Sequence, residues 1–250
     1  MAERVKNLSD VIVGRNPVKE ALKSQRPINK VLLVRGKFTG VLLEIYNLAR
    51  QSGIPVQEVD RAALEKISSE AVHQGVAAYV AAKEYVELED ILSRATPHDP
   101  FIVVLDEITD PHNLGAIIRT AEAAGVHGVV VTKRRSALLT PVVAKSSAGA
   151  VEYVPVARVT NLVQSIKTLQ EQGVWVVGAD MAGDKVYWDA PLSGPIAIVI
   201  GGEGKGLGRL VKETCDFLVR LPMQGKISSL NASVATALLV YEVVRQRSSG

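Results

Sequence analysis

From Phe101 onward, short apolar runs alternate with segments whose apolar positions recur every three or four residues. That is the pattern of an α/β unit with a largely parallel sheet and crossover helices. Strands are predicted at Phe101–Leu105, Gly128–Val131, Val151–Val156, Val174–Ala179, Ile196–Ile200 and Phe217–Leu221. Helices are predicted at Leu114–Ala124, Pro141–Ser147, Leu162–Glu171, Leu207–Thr214 and Asn231–Arg245. Gly125 and Gly173 sit where helices stop, and Thr140-Pro141 sets a capping hydroxyl before a first-turn proline.

Upstream, residues 9–83 read as a smaller α/β unit. A helix starts at Asn16-Pro17, followed by a strand at Lys30–Arg35 and a helix at Thr39–Gln51 that ends at Gly53. Strands at Val56–Val59 and Val76–Ala82 flank a helix at Ala62–Ile67. The stretch 84–100 is acidic, carries Pro97 and Pro100, and reads as a linker with one helical turn at Glu87–Leu92. The expected domains are therefore 1–83 and 101–250, joined by 84–100.

Composition narrows the functional classes. Only 4% of the 250 residues are aromatic, which argues against a broad base-stacking surface. Cys215 is the sole cysteine, so neither an internal disulfide nor a cysteine-cluster zinc site can form, as suits a reducing compartment. The four histidines show no metal-like pairing. The N-terminus lacks the apolar core of a secretory signal, and no uncharged run approaches the roughly 18 residues of a membrane span. A cytoplasmic protein with no membrane partner and no metal is expected. The net charge of +3 is unevenly spread: residues 1–40 hold nine Lys/Arg against three Asp/Glu, and residues 41–100 hold five against ten. Such segregation fits either an N-terminal face that meets a polyanion or a solvated surface.

The chemistry concentrates near the C-terminus. The apolar run Ile196–Ile200 enters Gly201-Gly202-Glu203-Gly204-Lys205-Gly206-Leu207. A phosphate loop needs Gly-Lys-Ser/Thr, but here Lys205 precedes Gly206; the dinucleotide pattern G-x-G-x-x-G also fails in every register. What remains is a tight turn with backbone groups free for a ligand. Its one acid, Glu203, fits either a helix start or a site. Leu221-Pro222-Met223 then leads to Ser228-Ser229-Leu230-Asn231, where Ser229 or Asn231 could cap a long apolar helix or serve the same pocket. That helix is almost wholly apolar up to Tyr241, as expected for one covered on more than one side.

The first helix after Phe101–Leu105 carries two charges, Arg119 and Glu122, spaced for an ordinary i, i+3 pair. In so apolar a helix Arg119 is expected to be partly desolvated and to need an anionic partner. Asn113 either caps this helix or faces the site.

Three segments, NLGAIIRTAEAAG, IVIGGEGKGL and LPMQGKISSLNASVATA, together resemble the SpoU/TrmH family of RNA ribose 2′-O-methyltransferases over about Phe101–Arg247. The N-terminal GRNPVKEAL resembles the ribosomal-protein-like RNA-binding domain of the RlmB branch, which methylates a guanosine of 23S ribosomal RNA. The resemblance implies a trefoil-knotted methyltransferase domain preceded by that small α/β domain, S-adenosylmethionine as cofactor, and a homodimer. By motif position Gly201, Gly202, Leu221, Met223 and Leu230 would contact the cofactor. Asn113, Arg119, Glu203, Ser229 and Asn231 would form the catalytic set. Gly202 and Leu221 stand where relatives often have alanine and isoleucine. A tRNA ribose methyltransferase, or a non-catalytic ribosome-assembly protein on the same fold, is the alternative; a dinucleotide oxidoreductase lacks its fingerprint.

Overall fold

The computed structural model describes residues 10–24, 26–68 and 72–249. Residues 1–9, which bring Arg4 and Lys6 to the basic excess, lie outside them. The chain divides into two compact units: 1–84 with 138–153, and 85–137 with 154–250.

In the first unit β1 (Asp10–Val13), α1 (Arg15–Lys23), β2 (Ile28–Val34), α2 (Val41–Gln51), β3 (Val56–Val59), α3 (Arg61–Ser68) and β4 (Val76–Val80) follow in order. The strands lie in the order β1-β4-β2-β3, with β4 antiparallel to both neighbours and β2 parallel to β3. Val13, Leu32, Leu64 and Ala77 form a core cluster of this unit. The strand β1 is not among those expected, because four residues ahead of Gly14 give too short a pattern to read.

The second unit begins with α4 (Leu88–Ala95), β5 (Phe101–Asp106), α5 (Pro111–Ala123) and β6 (Gly128–Thr132). After α6 (Pro141–Ser146), which packs in the first unit, come β7 (Val156–Val159), α7 (Leu162–Glu171), β8 (Trp175–Ala179) and β9 (Lys185–Val186). The chain ends with β10 (Ile196–Gly201), α8 (Arg209–Thr214), β11 (Phe217–Arg220) and α9 (Ala232–Ser248). The sheet order is β7-β6-β5-β10-β8-β11-β9, and every neighbouring pair is parallel. Strands covered by helices on both faces read as unbroken apolar runs, and Phe101–Leu105 and Ile196–Ile200 are buried throughout. Among the described residues no helix is long and apolar enough to cross a membrane, and no group of three His, Cys, Asp or Glu is placed to hold a metal.

Four readings of the sequence change. The supposed linker 84–100 carries the two-turn α4, whose Leu88, Ile91 and Ala95 are buried and whose Glu87 and Asp90 form a capping box. The predicted strand Val151–Val156 is instead a 3-10 turn at Ala150–Glu152, with β7 starting only at Val156 because Pro155 has no N–H for the ladder. Thr140 precedes α6 but its hydroxyl makes no capping bond and is buried without a partner. Finally, 138–153 joins the first unit, where buried Glu152 takes Arg26 Nη1 at 2.7 Å and Lys83 Nζ at 3.3 Å.

Much of the N-terminal basic excess is answered locally. Lys19 pairs with Glu44, Lys23 with Glu20, Arg26 with Glu152 and Arg35 with Asp60.

Candidate functional site

In a parallel sheet all strand ends of one sense share an edge, and ligands bind there, where the chain reverses its direction of winding. Here the chain winds outward from β5 through β6 to β7, and later sets β10 between β5 and β8. The loops that follow β5, β8, β10 and β11 therefore meet at one edge. Those loops, with Gly201 at the end of β10 and Asn113 in the first turn of α5, hold every candidate picked from the sequence except Arg119.

The glycine turn after β10 is closed by Gly206 N–H donating to Gly202 O at 3.0 Å, with Gly204 at φ 79° and Gly206 at φ 63°. A Cβ on Gly201 would overlap the backbone of Gly206 and Leu207, and one on Gly202 would lie 2.7 Å from Glu107 O. Those two glycines are demanded by backbone crossing backbone, not by turn geometry alone.

Glu203 leaves this turn toward α5 and α9. Its Oε1 accepts from Asn113 Nδ2 at 2.7 Å and from Asn231 Nδ2 at 2.8 Å, and Asn231 Nδ2 also lies 3.0 Å from Asn113 Oδ1. Asn113 is buried in the first turn of α5 but does not cap it; Asp110 does, accepting from His112 N–H. Asn231 caps α9, its Oδ1 accepting from Ser233 N–H at 2.9 Å, while its amide nitrogen reaches Glu203 and Asn113. A carboxylate held by two amides is fixed in place and keeps lone pairs for a ligand.

A cleft of about 450 Å³ opens on one side of the glycine turn. Gly201, Gly202, Leu221, Met223 and Leu230 line it, together with Glu203 and Ser229. Ala179, at the end of β8, and Asp180 and Met181 just after it line it too. Sequence reading missed them, since only the strand order puts the end of β8 beside β10 and β11. Asp180 is held by Lys212 Nζ at 2.6 Å and by Ala182 N–H at 3.0 Å. Across the turn lies a second cleft of about 740 Å³, which shares Gly202, Glu203, Lys205 and Gly206 as its wall.

Arg119 departs from expectation. It is exposed on α5, lines neither cleft, and makes no ion pair or side-chain hydrogen bond among the described residues. Six residues beyond Asn113, it is about 9 Å farther along the helix axis. Burial pushes the Cys215 thiol up to about 12, so it holds its proton near neutral pH.

A family model described as the SpoU rRNA Methylase family matches residues 100–241. The chain belongs to this family. A second model, RNA 2′-O ribose methyltransferase substrate binding, matches residues 11–86, so SpoU-type architecture spans both units. A Bacillus subtilis protein assigned by name to the TrmH family of tRNA/rRNA methyltransferases is 49% identical over 240 residues, covering 95% of this chain and 96% of that protein. Among solved structures, the SpoU methyltransferase AviRb of Streptomyces viridochromogenes, in complex with AdoMet, superposes with a TM-score of 0.81 at 28% identity, covering 96% of this chain and 91% of that one. An AdoMet-bound rRNA methyltransferase from Sinorhizobium meliloti gives 0.79 at 26% identity, covering 95% and 87%. The chain is thus an RNA methyltransferase of the SpoU/TrmH type.

Proposed function

We propose that this enzyme uses S-adenosylmethionine to methylate a ribose 2′-oxygen, that of a guanosine, in 23S ribosomal RNA, and that it works in the cytoplasm as a homodimer. The observation that carries the reading is the hydrogen-bonded cluster of Asn113, Glu203 and Asn231, whose Glu203 stands on the wall of a cleft built from backbone and apolar side chains. Full-length likeness to an rRNA methyltransferase supports the ribosomal substrate. The substrate-binding match over residues 11–86 supports RNA capture by the first unit.

The cleft suits the methyl donor chemically. Leu221, Met223 and Leu230 offer an apolar slot, Gly201 and Gly202 let the backbone approach, and the Asp180 and Glu203 carboxylates favour a cationic ligand. When bound, S-adenosylmethionine supplies an activated methyl group. The protein's task is then to align the ribose hydroxyl and to stabilise charge on its oxygen as the proton leaves. Asn113 and Asn231 orient Glu203 and the ribose, and Ser229 lies on the cleft wall within the same loop. Arg119 supplies the positive charge; a guanidinium is always protonated, so it stabilises and clamps but does not take the proton.

Because Arg119 is exposed and away from the cluster, we assign its partner site to a second copy of the chain. The stripe Val234, Leu238 and Tyr241 on α9 is exposed at helical spacing and gives that copy an apolar face. We also propose that the C-terminal segment threads a trefoil, a reading supported by the close backbone packing of Gly183 on Leu218–Arg220 and of Gly201 on Gly206 and Leu207.

Arg119→Ala is expected to lower turnover by about 10²-fold or more, with donor affinity in calorimetry little changed; near-normal turnover removes Arg119 from the mechanism. Mapping ribose methylation in ribosomal RNA and tRNA from a deletion strain identifies the nucleotide. Loss of a tRNA mark with intact ribosomal marks would overturn the substrate.

A further inference from the structure

Four non-glycine residues among those described adopt positive φ, and two of them face the same cavity: Glu107 at 60° and Arg135 at 56°. Such backbone costs of order 1 kcal/mol or more and clusters where a ligand is held. The two side chains also pair with each other, Arg135 Nη1 donating to Glu107 Oε1 at 2.8 Å. The pair stands at the 740 Å³ cleft across the glycine turn from the donor cleft, and Glu107 O packs on Gly202 in the shared wall. Val163 and Leu210 add apolar surface to the same cleft, and Leu210 is 58% exposed although nothing polar requires it to be.

We propose that this cleft receives the unstacked base of the nucleotide being methylated, with the Glu107–Arg135 pair reading its edge. The assignment rests on the ribose methyltransferase reading above. A nucleobase is flat and apolar on its faces, which suits Val163 and Leu210. Its edge sets hydrogen-bond donors beside acceptors, which suits a carboxylate next to a guanidinium. The geometry also connects: Asn113 and Glu203 line this cleft and belong to the catalytic cluster. A base held here would keep its ribose on the wall that separates the two clefts. Unstacking costs a few kcal/mol and is the usual route by which enzymes isolate one nucleotide.

The test uses the full chain, tritiated S-adenosylmethionine and an unmodified 23S ribosomal RNA transcript. Glu107→Gln and Arg135→Gln should each raise the KM for the transcript by about tenfold or more, the scale of one lost base-edge contact. Turnover and calorimetric donor affinity should change little. Exchanging the base at the labelled nucleotide should cost the wild type a similar factor and the variants little more. Leu210→Trp, a surface change that fills the cleft, should raise the same KM. Unchanged KM in all three variants, or base and residue effects that simply multiply, would overturn the assignment. Absence of label in any RNA from a wild type that still binds the donor would sink the methyltransferase reading, and this cleft's role with it.

Discussion

Asp106 closes β5 with its carboxyl almost out of water, accepting Gly208 N–H at 2.8 Å. Burial raises it above the ordinary carboxylate range, Gly208 offsets part of that rise, and the Glu107 charge adds to it. An acid raised in the folded state binds its proton more tightly there. Its contribution to stability is therefore most favourable at low pH and declines as pH climbs from the ordinary value of 3.8 through the raised one. Asp106→Asn keeps an oxygen for Gly208 and removes the buried charge. At pH 7 calorimetry should show a gain of about 2–4 °C for each kcal/mol recovered, with no gain near pH 3; a lower midpoint at pH 7 would refute the burial argument. At this scale the meeting of Asn113, Glu203 and Asn231 in one hydrogen-bonded cluster was legible, because polar groups flanking glycine-rich and apolar runs stand out. The positions of Asp180, Glu107 and Arg135 at the clefts were not: each is set there by elements distant in sequence. The desolvation expected for Arg119 is absent, because helix composition says nothing about which side of a helix is covered.

The glycine turn shows what an element imposes on its residues. A Cβ at Gly201 meets main chain on Gly206 and Leu207, which cannot move aside as a flexible side chain would. Gly201→Ala should cost about 1–3 kcal/mol in stability, the range for forced overpacking, and weaken donor binding at least tenfold. Gly225→Ala, in open space at ordinary φ, serves as the control in the same calorimetric titration. Wild-type donor affinity in the Gly201 variant would show that the turn does not shape the cleft. Periodicity located β5, β6, β8 and β10 to within a residue or so, since doubly covered strands are unbroken apolar runs. It failed at Val151–Val156 because Val151 is buried in a 3-10 turn, and apolar character alone does not tell a strand from a turn packed beneath other elements.

For the molecule as a whole, the exposed stripe on α9 makes a definite claim. Leu238→Glu should shift the protein toward monomer in sedimentation at micromolar concentration. If Arg119 acts across the interface, turnover should fall with dimer content. A wild-type monomer would dismiss both points. The change in character near residue 84 falls between the two family-model matches, at 11–86 and 100–241. The membership of 138–153 was not legible, because its ties to Arg26 and Lys83 span 126 and 69 residues.

That excursion makes the polypeptide pass from one unit to the other three times, at residues 84–85, 137–138 and 153–154. A swap of the leading 84 residues for those of a relative would strand Leu139, Val143 and Val151 without the surface that shelters them. Replacing the first unit as a folded whole therefore means transplanting two separated stretches of gene as a matched set.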